Sequence, residues 1–403
     1  MRPVTMHIPG DFWDSQIYAG DMILFGSDGS LTKIDWESMI DDLASNNKSI
    51  QTAIRIAFLD SDILYNSKVR GIIKDNKILS IILQQIKEVT KIEIEANDEL
   101  RTKHSRTFDS SFDFLTTDTD IYYNRILAAG NDGLFSVLRS FAGTREMKKN
   151  TTKQHDGIIL QVKSSNRNTA IAAASGKDGL IEIPLYVNSE KFFGDPKIIC
   201  GTPCSGCEWS FGSILAWENN NAFVANFKEI KEKNKKKKTR IFRKIIKKDE
   251  ILKSSQESKM WGSHEKIFFS SDKMIEVFNY QITDENNDDE FTGVGSKTTE
   301  FKTEEIISTG TAPFGTIIEL KDKLIVLRSD GKETTFNGEV VHWRIFPRSE
   351  KYNNQLHIIY DDHIVIVSFL HDYFVDQENK IVGFSYGKIK NIAAEGLNNT
   401  IIL

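Results

Sequence analysis

One local signature recurs along this chain: a short apolar run, an Asp-centred tight turn, and a second run in which apolar residues alternate. Leu24 to Leu31 turns at Asp28-Gly29, Ala128 to Phe135 at Asp132-Gly133, and Ala173 to Leu180 at Asp178-Gly179. Asp, Asn and Gly tolerate positive φ, and the polar pair also bonds its own backbone, so each segment reads as a β-hairpin. Looser copies turn at Asp75-Asn76, at Asn219 to Asn221, at Asp272, at Asp322 and at Asp361-Asp362. The turns fall about 48 residues apart, and a four-stranded antiparallel sheet with its loops needs ~40–50 residues.

Other segments fit between the turns. Ile54 to Phe58 and Thr90 to Glu95 alternate apolar and polar with period two, as half-buried strands do. Gly157 to Val162 and Gly338 to Trp343 are further strand candidates, and Asp35 to Ser45 reads as a short helix with Trp36, Met39, Ile40 and Leu43 on one side. The alternation of helix and strand needed for a parallel α/β sheet is missing.

The repeat resembles the β-propeller superfamily, including its WD40-like members, without their Trp-Asp signature. The resemblance implies an all-β chain: a single propeller over residues 1–403, of seven four-stranded blades or of eight. In the seven-blade reading the chain ends share one blade and close the ring, which removes the exposed sheet edges at the junction. Inserted loops are expected at about 35–50, 200–210, 228–250 and 282–300.

Composition narrows the function classes. The net charge of −5 over 403 residues favours no polyanionic or polycationic partner globally. The apolar run around Ile78 to Leu83 is too short to span a bilayer. Residues 1–13 lack a secretory h-region. Three cysteines, an odd number, argue against a disulfide scaffold and for a reducing compartment. The expectation is a cytoplasmic or nuclear protein without a membrane anchor.

Three features carry candidate chemistry. Cys200, Cys204 and Cys207 hold every cysteine in a Cys-x3-Cys-x2-Cys spacing, which resembles the iron–sulfur motif of radical S-adenosylmethionine enzymes. Zinc is the other metal reading, with His155 or His264 as a fourth ligand. The plain reading is three small semi-buried side chains in a Gly/Pro-rich loop. The second feature is Lys231 to Lys248, with 11 basic residues in 18. Lys235, Lys236, Lys237, Lys238 and Arg240 are its candidate polyanion contacts, including nucleic acid. A solvated hairpin explains the same run, and the acidic stretch Asp284 to Glu290 reads as a loop. The third is the late group His342, His357, His363 and His371, none at chelating spacing on one strand. Phosphate-binding, nucleophile-elbow and zinc-protease motifs are missing, so no cofactor is expected. The expected function is a non-catalytic scaffold that binds other protein subunits. The alternatives are a propeller hydrolase with an acidic site in the central channel, and a metal or iron–sulfur protein.

Overall fold

A computed structural model describes residues 2–369, apart from 61–62, 64–66, 74, 220, 232–237, 253–257, 264–265, 283–288 and 329–331. After β1 (Val4–Pro9), the chain makes seven antiparallel sheets in succession. The first is β2 (Phe12–Tyr18), β3 (Asp21–Gly26), β4 (Ser30–Asp35) and, after an insertion, β6 (Ser105–Asp109). The insertion comprises α1 (Trp36–Asn46), α2 (Gln51–Phe58), α3 (Ser67–Ile73), α4 (Asn76–Val89), β5 (Glu93–Glu95) and α5 (Asp98–Lys103). The second sheet is β7 (Thr116–Tyr122), β8 (Arg125–Gly130), β9 (Gly133–Leu138) and β10 (Thr152–His155). The third is β11 (Gln161–Ser165), β12 (Ala170–Ala174), β13 (Leu180–Pro184) and β14 (Lys197–Cys200). The fourth is β15 (Gly206–Ser210), β16 (Ser213–Glu218), β17 (Asn221–Lys231) and β18 (Lys238–Lys247). The fifth is β19 (Ser258–Ser263), β20 (Lys266–Ser271), β21 (Met274–Ile282) and β22 (Asp289–Thr298). The sixth is β23 (Ser308–Ala312), β24 (Gly315–Glu319), β25 (Lys323–Arg328) and β26 (Glu333–Asn337).

The seventh sheet takes β27 (His342–Ile345), β28 (Gln355–Ile359) and β29 (His363–Ser368) from late in the chain and β1 from early in it. β1 runs antiparallel to β29, from Val4 opposite Ser368 to Pro9 opposite His363. β5 adds a fifth, parallel strand outside β1, with Met6 opposite Ile94.

Seven of the eight expected turns join the second and third strands of a sheet. Asp28 shows why: its Oδ1 accepts the Ser30 N–H at 2.9 Å while Gly29 takes φ +80°. The Ser30 hydrogen bonds also hold the Asp28 carboxyl below the usual carboxylate range. At Gly133 and Gly179 the glycine answers a second demand as well. A Cβ there would lie 2.1 Å from the carbonyl oxygens of His155 and Cys200, where the fourth strand crosses the turn.

The eighth turn is a correction. Asp75 does not close a hairpin; it caps α4, its Oδ1 accepting the Lys77 and Ile78 N–H groups at 2.8 and 3.3 Å. Ile54 to Phe58 is likewise helical, and Thr90 to Glu95 contributes only the three residues of β5. The reason is packing. Ala53, Ile54, Ile56, Ala57 and Phe58 of α2 are all buried, and three buried residues in succession leave no room for period-two alternation. The strands expected at 157–162 and 338–343 begin a few residues later, as β11 and β27. α1 is the expected helix, capped by Asp35, with Trp36, Met39, Ile40, Leu43 and Ala44 buried.

By contact density the chain forms two compact units. Met1–Ser110, Phe141–Met147 and Ile307–Leu403 make the first, and Ser111–Ser140 with Lys148–Ile306 the second. In the first unit one apolar cluster joins Met6 and Ile8 of β1, Met22 and Leu24 of β3 and Ile364 and Ile366 of β29 to Trp36, Ile40, Ile54, Phe58, Ile86 and Val89. The helical insertion is therefore part of this core.

In the second unit, side chains at alternate positions tie sheet to sheet. The Asp118 and Asp120 carboxylates of β7 accept the N–H groups of Val162 and Ser164 on β11 at 2.8 and 2.9 Å, and the Tyr122 hydroxyl donates to the Ser165 carbonyl at 2.8 Å. One sheet further on, Gln161 Oε1 accepts the Cys207 N–H at 2.7 Å and Trp209 Nε1 donates to the Lys163 carbonyl at 2.8 Å. A buried strand edge without hydrogen-bond partners would cost about 1–3 kcal/mol per group. These side chains satisfy the edge and space the sheets.

Candidate interaction surface

The helical insertion is anchored at three points. The Trp36 indole donates to the Phe58 carbonyl at 2.7 Å. Gln355 of β28 donates to the carbonyls of Ala57 and Phe58 at 3.4 and 3.1 Å. From α4, Gln85 Oε1 accepts the N–H groups of Thr52 and Ala53 at the start of α2. These bonds satisfy terminal backbone groups that a helix leaves open.

With its C-terminal half so docked, α4 buries Ile86 and Val89. Its N-terminal half stays in water: Ile78 is 40% and Ile81 56% exposed, and Ile72 of α3 reaches 62%. At the other end of α4, Lys87, Thr90 and Lys91 line a shallow open dimple with Arg2. Sequence reading placed a hairpin here and missed this surface. Its signal was present, as an Asp cap followed by apolar residues at 78, 79, 82, 86 and 89 in helical spacing.

The same anchors lead to a buried polar network. Gln355 Oε1 meets His357 Nε2 at 3.4 Å, and His357 Nδ1 meets Ser15 Oγ at 3.0 Å. Ser15, Gln355 and His357 are wholly buried. Burial pushes the His357 pKa down to about 3, so the ring is neutral. A neutral imidazole with Nε2–H donating to Gln355 and Nδ1 accepting from Ser15 satisfies both contacts. Sealed from solvent, this Ser–His contact is a structural joint and not a nucleophile–base pair.

The sequence-predicted metal residues sit in a core. Cys204 and Cys207 are fully buried beside Ala174, Leu180 and Ile214, and Cys200 is half-buried at the end of β14. Burial raises the Cys204 pKa to about 12 and the Cys207 pKa well above the ordinary thiol value, so both stay protonated. Among the described residues no group of three or more His, Cys, Asp or Glu is placed to hold a metal ion. His264 lies outside the described residues. Native protein at pH 8 is expected to be alkylated by iodoacetamide at Cys200 while Cys204 and Cys207 react only after denaturation, because the thiolate is the nucleophile. Peptide mass spectrometry reads the result, and rapid native modification of Cys207 would contradict its placement.

Of the predicted polyanion residues, Arg240 is the one whose side chain is described. Arg240 pairs with the Glu182 carboxylate, donates to the Gly212 carbonyl and lies over the Phe227 and Trp209 rings, 3.3 and 5.1 Å from their centroids. Its charge is engaged within the fold by these contacts. Lys238 opens β18, paired with Lys231. Lys235, Lys236 and Lys237 lie outside the described residues, as do Asp284 to Asp288 of the acidic stretch and His371. Of the late histidines, His363 stacks between Tyr360 and His7, with ring centroids 4.9 and 5.5 Å away. No helix among the described residues is long and apolar enough to cross a membrane.

No protein-family model matches this sequence, and no curated protein does. Among solved structures, the β-propeller domain of Cps50 (Swd1) from Myceliophteria thermophila is similar at 9% identity and a TM-score of 0.49, over 89% of this chain and 96% of that one. The computationally designed Ika8 protein is similar at 7% identity and a TM-score of 0.43, over 89% and 83%. The AfRom2 CNH domain is similar at 8% identity and a TM-score of 0.37, over 62% and 94%. The strand order itself, six four-stranded antiparallel sheets and a seventh that β5 extends to five strands, is consistent with a β-propeller fold.

Proposed function

We propose that this chain is a non-catalytic protein-interaction scaffold, a subunit of a larger cytosolic or nuclear complex. In this reading the seven sheets close into one ring, with the β1–β29 pairing as its clasp. The observation that carries the functional reading is the exposed isoleucine face of α3 and α4, on an insertion whose other side is locked into the core. A contiguous apolar surface on a well-anchored element is what another protein would cover. A propeller presents loops and insertions on a stiff frame, and that division of labour suits partner binding.

The test is the mass of the native particle. In lysate of the source cells, the tagged chain is expected in a particle several-fold heavier than the purified monomer, by native gel and by sedimentation. A chain that sediments only as a free monomer in lysate would overturn the scaffold reading.

A further inference from the structure

We propose that Arg125, with the rings of Tyr123 and Phe192 beside it, binds a carboxylate carried next to an aromatic ring on a peptide segment of a partner protein. The proposal rests on the scaffold reading for the kind of partner. It goes beyond that reading by naming a second surface and the chemistry that this surface recognises.

The charge comes first. Arg125 opens β8 and is half-buried. Other arginines short of full exposure have polar partners: Arg55, Arg101, Arg240 and Arg344 each meet a carboxylate, and Arg139 donates to Asn124 Oδ1 at 3.1 Å. Among the described residues Arg125 has neither an ion pair nor a side-chain hydrogen bond. Its contacts are ring faces, with the guanidinium carbon 4.8 Å from the Phe192 centroid and 5.6 Å from that of Phe193. Burial lowers its pKa, and no carboxylate stands close enough to oppose that shift. The group is still a cation at neutral pH. Stacking uses the face of a guanidinium and leaves the N–H groups in its plane free to donate. The charges of the loop between β13 and β14 do not meet this demand. Lys191 pairs with Asp195 at 2.7 Å, and the exposed Glu190 forms no ion pair with Arg125.

The rings come second. Tyr122 meets Tyr123, Tyr123 meets Phe192 and Phe192 meets Phe193, each pair edge to face, with centroids 4.5, 6.2 and 5.0 Å apart. Tyr122 and Phe193 are buried, Phe192 is half-buried and Tyr123 is 41% exposed, so the cluster runs from core to surface. Tyr123 and Asn124 form the β7–β8 turn at φ +45° and +58°. Asparagine and glycine suit that backbone and a bulky ring does not, so turn chemistry leaves the choice of tyrosine unexplained. Phe192 is held in place from behind: the Tyr186 N–H donates to its carbonyl at 2.7 Å. The occupant that answers both features places a carboxylate on the guanidinium fork and an aromatic ring against Tyr123 and Phe192. A phosphate fits less well, because a dianion calls for further cations and Glu190 stands on the same loop.

The test uses the full chain and fluorescein-labelled Gly/Ser peptides of about ten residues. Their central pair is glutamate–phenylalanine, glutamine–phenylalanine or glutamate–serine, and a fourth peptide carries phosphotyrosine. Anisotropy is expected to show saturable binding of the glutamate–phenylalanine peptide with a Kd on the order of 100 μM, and about tenfold weaker binding of the other three. Arg125→Gln is expected to weaken the first peptide about tenfold and to abolish its advantage over the glutamine peptide. Tyr123→Asn is expected to weaken it by a similar factor while the thermal midpoint holds or rises, because asparagine suits the turn. A purely structural tyrosine would move the midpoint and leave the affinity. If Arg125→Gln melts early, Tyr123→Asn still decides.

Failure of saturation, equal affinity for the glutamate and glutamine peptides, indifference to both variants, or tighter binding of the phosphotyrosine peptide would each overturn the proposal. The native particle separates it from the scaffold reading. A heavy particle in lysate, together with no peptide binding, removes this site and leaves the scaffold. A free monomer that still binds the glutamate–phenylalanine peptide removes the scaffold and leaves the site.

Discussion

Replacing Arg344 with methionine is expected to lower the free energy of unfolding by about 3–5 kcal/mol. Arg344 of β27 meets Asp14 of β2 in a fork, Nε to Oδ1 and Nη2 to Oδ2, both at 2.6 Å. Asp14 is wholly buried and also accepts the Ser15 N–H at 2.8 Å. The loss comes from the stranded partner. Without the guanidinium, a carboxylate stays in a region of low dielectric, with His342 Nε2 3.9 Å away. The double change Asp14→Leu with Arg344→Met is expected to recover much of the loss, because replacing both members of a buried pair removes the desolvation cost along with the attraction. Urea unfolding followed by tryptophan fluorescence measures each variant. A loss below about 1 kcal/mol for Arg344→Met would show that the pair is not the joint between these two sheets.

The second large effect is acid sensitivity centred on His357. Its pKa stands at about 3 in the folded protein, lowered by burial from an ordinary 6.5. As pH falls below 6.5, the unfolded chain takes up a proton at this residue and the folded one does not. Stability is therefore full above pH 6.5 and drains as pH falls toward 3, at up to about 1.4 kcal/mol per pH unit. The total available is roughly 5 kcal/mol. His7 and His155, also lowered by burial, add smaller contributions of the same sign. The check is a difference: wild type and His357→Gln, unfolded in urea at steps from pH 7 to pH 4.5. Gln keeps a donor and an acceptor for Ser15 and Gln355 but cannot titrate, so its stability should depend on pH less steeply. Parallel curves would mean that His357 is hydrated or already charged in the folded state.

These two effects show how far local reading reached. The hairpins at Asp28, Asp132 and Asp178 were legible because the determinant lies within four residues. A carboxylate bonds the backbone just ahead of it, and a glycine supplies positive φ. Asp75 carries the same chemistry and does something else. An aspartate that satisfies free N–H groups is as good at the start of a helix as in a turn, and the tie is broken only by the following 14 residues. Ile54 to Phe58 failed for a related reason. A short apolar run fits a strand or a fully packed helix, and only the presence of α1 and α4 on its two sides decides between them.

The candidate site residues divide along the same line. Arg240 looks like one more cation of a basic run, but Phe227, Trp209 and Glu182 come to it from three strands, including one in the neighbouring sheet. Cys204 and Cys207 share a suggestive spacing, yet spacing says nothing of the aliphatic side chains that close over them and keep them protonated. Gly133 and Gly179 were read as turn residues. That each also admits the backbone of a fourth strand, 2.1 Å from where a Cβ would stand, is not a local fact.

By itself the sequence determined the place of seven strand-turning points and the all-β character of the frame, because turns are fixed by short-range sterics and by side chain to backbone bonds. Only the tertiary structure decided that Asp118, Asp120 and Asp14 are joints between sheets, that the cysteines are core, and that α4 turns Ile86 and Val89 inward while leaving Ile78 and Ile81 in water. Burial is a sum over neighbours far apart in the chain, and no window along the sequence contains that sum.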